Sequence, residues 1–474
     1  MSNLTQPPLP SIDQILAVED SDDVLGNKCP HTGIPAWSTM RNRFLRRVIA
    51  QFYYTGRIDA PHDADIPTSR RVISLARYVG HNLTAKPQGD ICLMVGGRSL
   101  RQTGRAWTNA SYDPLVQASS GSSFLVEDHF SWAVPLPRAY DTVWFNAPTQ
   151  ATATVLSRFL SYRHKRAAED LVGLVHDRSR ELLGWSPTAE EIGELTKFVA
   201  QKLASLPYYV ERYTRLFRQS GARILLKEGA FYGPSAPAVF AAKALGMDVL
   251  EFQHGAFSKG HEAYNFAPAV LRDEAYRATF PDKLLCFGEW WADQLDVPVQ
   301  KIIIGNPNRH ISARVGGAGL DLKQVLVLGD GIDTNRYLDL CSAIAGPLKD
   351  KGFTVAFRPH PLERSAASLG QRTDFQIERS ADIYVALNNS HTVISEASTG
   401  LFDAIGVSPN ILVWNTPKAS FTFPNHPFRE FSDIDHLFDL MSDGENGSRK
   451  TSADSFWAPH WEKNYSELTR RLLR

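Results

Sequence analysis

The chain has no surplus of either charge: 51 Lys and Arg stand against 51 Asp and Glu in 474 residues. A general field able to hold nucleic acid or an anionic membrane is therefore excluded, and any anion site must be local. Cysteine is scarce. Its four copies, Cys29, Cys92, Cys286 and Cys341, lie far apart without a CxxC pair, which suits buried free thiols and a reducing cytoplasm. Nowhere do about 18 consecutive apolar residues occur. The opening MSNLTQPPLPSIDQIL has neither a basic n-region nor an apolar h-region, so the chain is expected neither to cross a membrane nor to leave the cell by a classical signal. P-loop, HExxH and GxSxG spellings are missing as well. Function is expected in a pocket.

The chain is too long for a single core, and two domains are the expectation. Residues 1 to about 85 read as a polar, proline-containing lead-in followed by the basic amphipathic stretch RNRFLRRVI (41–49). That stretch predicts a packed helix with a solvated basic face; docking to anionic lipid or to a polyanionic acceptor is the alternative. From residue 89 the text alternates strand and helix. GDICLMVGG (89–97), DTVWFNAP (141–148), ARILLKEG (222–229) and DVLEFQHG (248–255) read as strands. Residues 151–183, 187–219 and 235–247 carry apolar residues at helical spacing. The resulting βαβ order implies a parallel sheet.

DKLLCFGEWWADQL (282–295) and VQKIIIGNPNRH (299–310) extend the first series, and the glycine-rich ISARVGGAGLDL (311–322) is the linker candidate. The second series runs through QVLVLGD (324–330), a helix over 334–349, FTVAFRPHP (353–361), ADIYVALN (381–388), a helix from about Ser395 to Ile405, NILVWN (410–415) and a terminal helix. The fold expectation is α/β, with two Rossmann-like domains whose parallel sheets face each other across a cleft. Residues 1–310, with helical additions, make the first domain and 323–474 the second.

Four constellations can carry chemistry. Arg358-Pro359-His360-Pro361 closes a predicted strand, the end at which open parallel sheets bind ligands, and an imidazole between prolines is held rigidly there. The stretch from Asn388 to Gly400 crowds hydroxyls and amides, with Ser395, Glu396, Ser398 and Thr399 at the expected start of a helix. Lys227-Glu228-Gly229 and Gln253-His254-Gly255 follow consecutive strands, so Glu228 and His254 can face one cleft as candidate general bases. GDGID (329–333) reads as a common turn after a strand. The triplets Asp63-Ala64-Asp65 and Asp433-Ile434-Asp435 lack strand-end context, so no metal site is expected.

Taken in order, the Glu-Gly, the His-Gly, the FG…GNPNR segment, the RPHP and the SEASTG resemble bacterial surface-polysaccharide GT-B transferases. That group includes capsular Kdo transferases, bacterial sialyl- and polysialyltransferases and polyglycerol-phosphate polymerases, and the resemblance covers roughly residues 220–415. It implies a glycosyltransferase of polysaccharide or glycoconjugate biosynthesis with a nucleotide-activated sugar as co-substrate, a CMP-sugar favoured. His360 with Arg358, and Ser395, Glu396, Ser398 and Thr399, would hold the nucleotide, and Glu228 or His254 would be the base. Lys227 stands where the sialyltransferases carry a second acid, which argues against sialic acid. Neither cofactor nor metal is expected. A glycan acceptor and peripheral association with the inner membrane face or an assembly complex are. A CDP-polyol phosphotransferase, a non-hydrolysing epimerase and a silent GT-B-like glycan-binding or scaffold subunit are the rival expectations.

Overall fold

Short apolar runs bounded by Gly, Pro or Asp become strands here because the central ones bury both faces, which a sheet with helices on both sides allows. The computed structural model describes residues 9–54, 66–140, 142–312, 323–361, 363, 369–370, 372–380, 382–442 and 452–474. Nine strands lie in the first half: β1 (Ile91–Val95), β2 (Leu100–Thr103), β3 (Ala106–Asn109), β4 (Ser123–Glu127), β5 (Val143–Phe145), β6 (Ile224–Lys227), β7 (Asp248–Phe252), β8 (Lys283–Cys286) and β9 (Gln300–Ile303). Seven of them form one sheet in the order β5-β4-β1-β6-β7-β8-β9, parallel throughout. At its centre Leu93 pairs with Leu125 on one side and Leu226 on the other. The remaining two, β2 and β3, make an antiparallel hairpin that leaves the sheet just after β1.

The second half repeats the plan with β10 (Gln324–Leu328), β11 (Thr354–Arg358), β12 (Gln376–Ile377), β13 (Thr392–Ser395), β14 (Asn410–Trp414) and β15 (Arg429–Phe431). Their order is β12-β11-β10-β13-β14-β15, again all parallel, and no described strand pairs one large sheet with the other. The fold is therefore two Rossmann-like α/β domains whose parallel sheets face across a cleft, the GT-B arrangement. Among the described residues no helix is long and apolar enough to cross a membrane. All four cysteines are free and buried.

The first sheet ends at Ile303 and the second begins at Gln324, but most of the glycine-rich 311–322 segment lies outside the described residues. The terminal helix Trp461–Leu472 returns to the first domain. There Ser120 donates to the Ser466 carbonyl (2.7 Å), and Arg223 donates to that of Leu473 (2.6 Å). By contact, the chain's last helix belongs with the first domain.

Three local expectations are corrected. First, residues 395–405 do not form one helix. Thr392–Ser395 is a fully buried strand paired in parallel with β10 and β14, and a four-residue helix, Gly400–Asp403, follows only after a loop. Pairing on both edges outweighs the capping chemistry that suggested a helix start. Second, the segment read as part of the strand alternation at 381–388 holds a helix, Ile383–Asn388, whose N-terminus is capped by the Asp382 carboxylate on Tyr384 N–H (3.0 Å).

Third, the basic stretch 41–49 is solvated only in part: Arg43 is exposed, but its other arginines are held by acids. It lies in the helix Ala36–Tyr53, where Arg41 is buried and donates to both carboxylate oxygens of Glu19 (2.6 and 2.7 Å) and to the carbonyls of Glu262 and Asn265. Arg46 pairs with Glu262 (2.9 Å) and Arg47 with Glu191 (3.4 Å). Acids remote in sequence occupy Arg41, Arg46 and Arg47.

Two readings change in detail. The long helical stretch 151–183 is two helices, Ala147–Leu160 and Lys165–Leu183, joined by the tight turn Ser161–His164. SFLVE, not read as a strand, is β4. Of the two acidic triplets, 63–65 lies outside the described residues, and Asp433 caps the helix Ile434–Ser442 through His436 N–H (2.9 Å).

Candidate functional site

The carboxyl ends of the two sheets open into one cavity of about 640 Å³, within the range of roughly 300–1,000 Å³ usual for small-molecule sites. From the first domain His254 and its neighbours after β7, Phe287 after β8, and Asn109 to Pro114 with Gln117 at and after the end of the hairpin line it. From the second come Gly329 after β10, Arg358 to Pro361 at the end of β11, and Ser398 to Gly400 after β13.

His254 reaches the cavity because Gln253 fixes its loop. The Gln253 side chain, fully buried, donates to the Gly255 carbonyl (2.9 Å) and accepts from Phe287 N–H (2.8 Å), tying the ends of β7 and β8 together. Behind His254, its Nδ1 lies 3.8 Å from Oε1 of Glu251, a residue of β7 itself. Glu251 is fully buried and accepts from the Tyr264 hydroxyl (2.5 Å) and from Phe231 N–H (3.0 Å). Burial pushes its carboxyl up to about 7, against the pull of those hydrogen bonds and of Lys227. The charge of Glu251 and that of a protonated His254 favour each other, so this carboxyl is suited to steady an imidazolium. Sequence reasoning missed Glu251, although an acid inside the apolar run DVLEF was a signal.

Glu228 does not line the cavity. Its carboxylate turns back to the end of β1, where it accepts from Gly96 N–H (2.5 Å).

On the facing wall, Arg358 is held by the Glu378 carboxylate and by the Ser380 hydroxyl (2.9 Å), and its side chain still borders the cavity. Burial works against ionisation of Glu378. Hydrogen bonds from Ser380 and the Arg358 charge overcome it and hold that carboxyl below its ordinary value. The His360 N–H donates to Glu363 (2.8 Å), whose other oxygen accepts from the Thr334 hydroxyl. Under the ring lies Gly331. Its φ of +83° suits glycine, and a Cβ there would stand 2.9 Å from His360 Nδ1. The GDGID turn is thus the floor on which His360 rests.

Ser398 and Thr399 line the cavity, but Ser395 and Glu396 do not. Ser395 is buried and donates to the Leu328 carbonyl (2.8 Å), joining β13 to β10. Glu396 is buried in an ion cluster. Lys418 Nζ contacts Glu396 (2.5 Å), Asp330 (2.7 Å) and Asp333 (2.9 Å), and Arg336 reaches Glu396 from the surface side (3.2 Å). Burial works against the Lys418 ammonium, but Asp330 and Glu396 hold it above its ordinary value. This cluster braces the ends of β10 and β13 directly behind the cavity wall. Nothing in NTPKAS signalled Lys418, since its partners come from segments 22 to 88 residues away.

No family model matches the chain, and no curated protein does. Solved structures do resemble it at low identity. The UDP-GlcNAc 2-epimerase from Methanocaldococcus jannaschii is 11% identical, with 81% of this chain and 99% of that chain covered and a TM-score of 0.45. A glycosyltransferase from Rickettsia africae ESF-5 is 12% identical, covering 81% and 98%, with a TM-score of 0.44. The UDP-GlcNAc 2-epimerase from Neisseria meningitidis bound to UDP-GlcNAc is 12% identical, covering 81% and 99%, with a TM-score of 0.43.

Proposed function

We propose that this chain is a glycosyltransferase that moves a sugar from a nucleotide-activated donor, a CMP-sugar favoured, to a hydroxyl of a glycan or other acceptor in surface-polysaccharide or glycoconjugate assembly at the cytoplasmic side of the cell. The observation that carries the reading is the facing pair of histidines. One cavity receives His254 from the end of β7 and His360 from the end of β11. A single histidine could serve a hydrolase or a binding protein; one on each wall suits a reaction that needs a base for one partner and a cation for the other.

In this mechanism the acceptor oxygen attacks the anomeric carbon while the bond from that carbon to the phosphate oxygen breaks. The hydroxyl proton goes to His254 Nε2, the nitrogen away from Glu251, and Glu251 stabilises the imidazolium that forms. Negative charge grows on the departing phosphate, where His360, Arg358 and the hydroxyls of Ser398 and Thr399 supply donors and positive charge. The protein's own side chains perform this neutralisation, and activity is expected to survive chelation of divalent cations. Facing walls also keep water from the donor, which limits its hydrolysis.

The test is a thermal-shift screen with CMP, CDP, UDP and GDP, followed by mass spectrometry of products from the responding sugar nucleotide. A rise in melting temperature with one nucleotide and a new glycosidic product are expected. Indifference to every nucleotide would sink the reading, and a phosphodiester product would move the attack from carbon to phosphorus.

A further inference from the structure

The helix Thr68–Thr84 is built inside out. Of its 17 residues only Ser74 and Tyr78 are buried. Both bind the body of the protein through hydroxyls, Ser74 to the Trp132 carbonyl (2.6 Å) and Tyr78 to that of Ala133. Asn82 adds a bond to the Phe145 carbonyl (2.8 Å). The apolar side chains point the other way: Val72, Ile73, Val79 and Leu83 are 60, 61, 41 and 83% exposed.

The helix Ala147–Leu160 packs against the first, and with the turn Ser161–His164 it carries a second exposed apolar stripe. Val155, Phe159 and Tyr162 are 52, 73 and 68% exposed there, at the spacing of one helical stripe. Seven of the eleven large hydrophobics exposed among the described residues therefore sit on these two adjoining elements. Scattered exposed leucines need no explanation, but a concentration of this kind does.

Charge decides what fits. Residues 68–84 and 147–164 contain no Asp or Glu, while Arg70, Arg77, Arg158 and Arg163 are exposed among the apolar side chains. In a chain whose overall charge is zero, this is a strong local bias. Apolar side chains beside arginines that pair with no carboxylate among the described residues, with a tyrosine at the boundary, match the interface of an anionic bilayer, where acyl chains receive the first and headgroup phosphates the second.

We propose that the surface made by Thr68–Thr84, Ala147–Leu160 and Ser161–His164 docks this protein onto an anionic lipid bilayer. The site is distinct from the basic stretch 41–49, whose Arg41, Arg46 and Arg47 are occupied by Glu19, Glu262 and Glu191. Docking of this face is independent of what the cleft catalyses.

Co-sedimentation of the full chain with vesicles tests it, comparing phosphatidylcholine alone with phosphatidylcholine containing phosphatidylglycerol. Pelleting is expected with the anionic vesicles only, and should fall as salt is raised. Each basic residue near an anionic surface strengthens binding roughly fivefold, so Arg70→Glu, Arg77→Glu and Arg158→Glu together should weaken partitioning about 100-fold or more. Leu83→Ser with Phe159→Ser should weaken it even at low salt. All five positions are exposed, and unchanged melting temperatures would show that the variants fold. The proposal is overturned if wild type ignores anionic vesicles or if both variants pellet as wild type does. It is equally overturned if sedimentation velocity shows a dimer that Phe159→Ser dissolves, which would make this face an interface between two copies.

Discussion

Nδ1 of His254 stands 3.8 Å from Oε1 of Glu251, and that carboxylate has no exposure to solvent. An exposed imidazole at a strand end and a buried acid within the same strand form a pair in which the charge of each favours the charge of the other. In the proposed mechanism this makes His254 the better-equipped base. Glu228, the other candidate, is turned away from the cavity and occupied by Gly96 N–H.

That difference is measurable. A general base acts only in the transition state, so His254→Asn should lower the single-turnover rate roughly 10²-fold or more at saturating donor while donor affinity stays nearly constant. Glu228→Gln should act mainly by disturbing the end of β1, with a smaller loss of rate. A rate reduced less than tenfold in the histidine variant would remove it from the mechanism.

Glu251 also leaves a signature in stability. Its carboxyl rises from 4.5 to about 7 on folding, so between these values the folded chain keeps a proton that the unfolded chain releases. The stabilisation is complete below the unfolded value and is lost as pH rises through the folded one, a swing of about 3 kcal/mol. Glu251→Gln cannot ionise and should lose correspondingly less stability as pH rises from about 4 to 8. Urea denaturation of both proteins across that span checks the sign; parallel pH profiles would contradict it.

On the donor side, His360→Ala should weaken nucleotide binding on the order of ten- to a hundredfold, the worth of a hydrogen bond to a charged group. Gly331→Ala should weaken it in the same direction without touching the histidine, because the new Cβ would stand 2.9 Å from Nδ1 in a backbone conformation at φ +83°. Calorimetry of both variants with the responding nucleotide is the measurement. Wild-type affinity in both would place the nucleotide elsewhere.

The two serines should separate cleanly. Ser398→Ala, at the cavity, should reduce nucleotide affinity with little change in stability. Ser395→Ala leaves the Leu328 carbonyl without its 2.8 Å donor and should cost roughly 1 to 2 kcal/mol of stability. In the folded protein its nucleotide affinity should persist. Reversal of the two phenotypes would mean that Ser395 reaches the ligand after all.

By itself the sequence determined the alternation of strand and helix, the parallel sheets and the strand ends that carry His254, Arg358 and His360. Those features are local, since an apolar run closed by Gly or Pro signals both the strand and the turn that presents the next side chain. HTVIS shows where local reading fails. Its hydroxyls spell a helix cap, yet pairing with β10 and β14 on both sides makes it a strand and turns Ser395 and Glu396 into bracing. Tertiary structure alone brought Lys418 to Asp330, Asp333 and Glu396, paired Arg41 with Glu19 and returned the last helix to Ser120. It also turned the apolar side of Thr68–Thr84 outward. A buried charge is tolerated only beside its counter-charge, and which residues lie beside it is a property of the folded chain rather than of spacing along it.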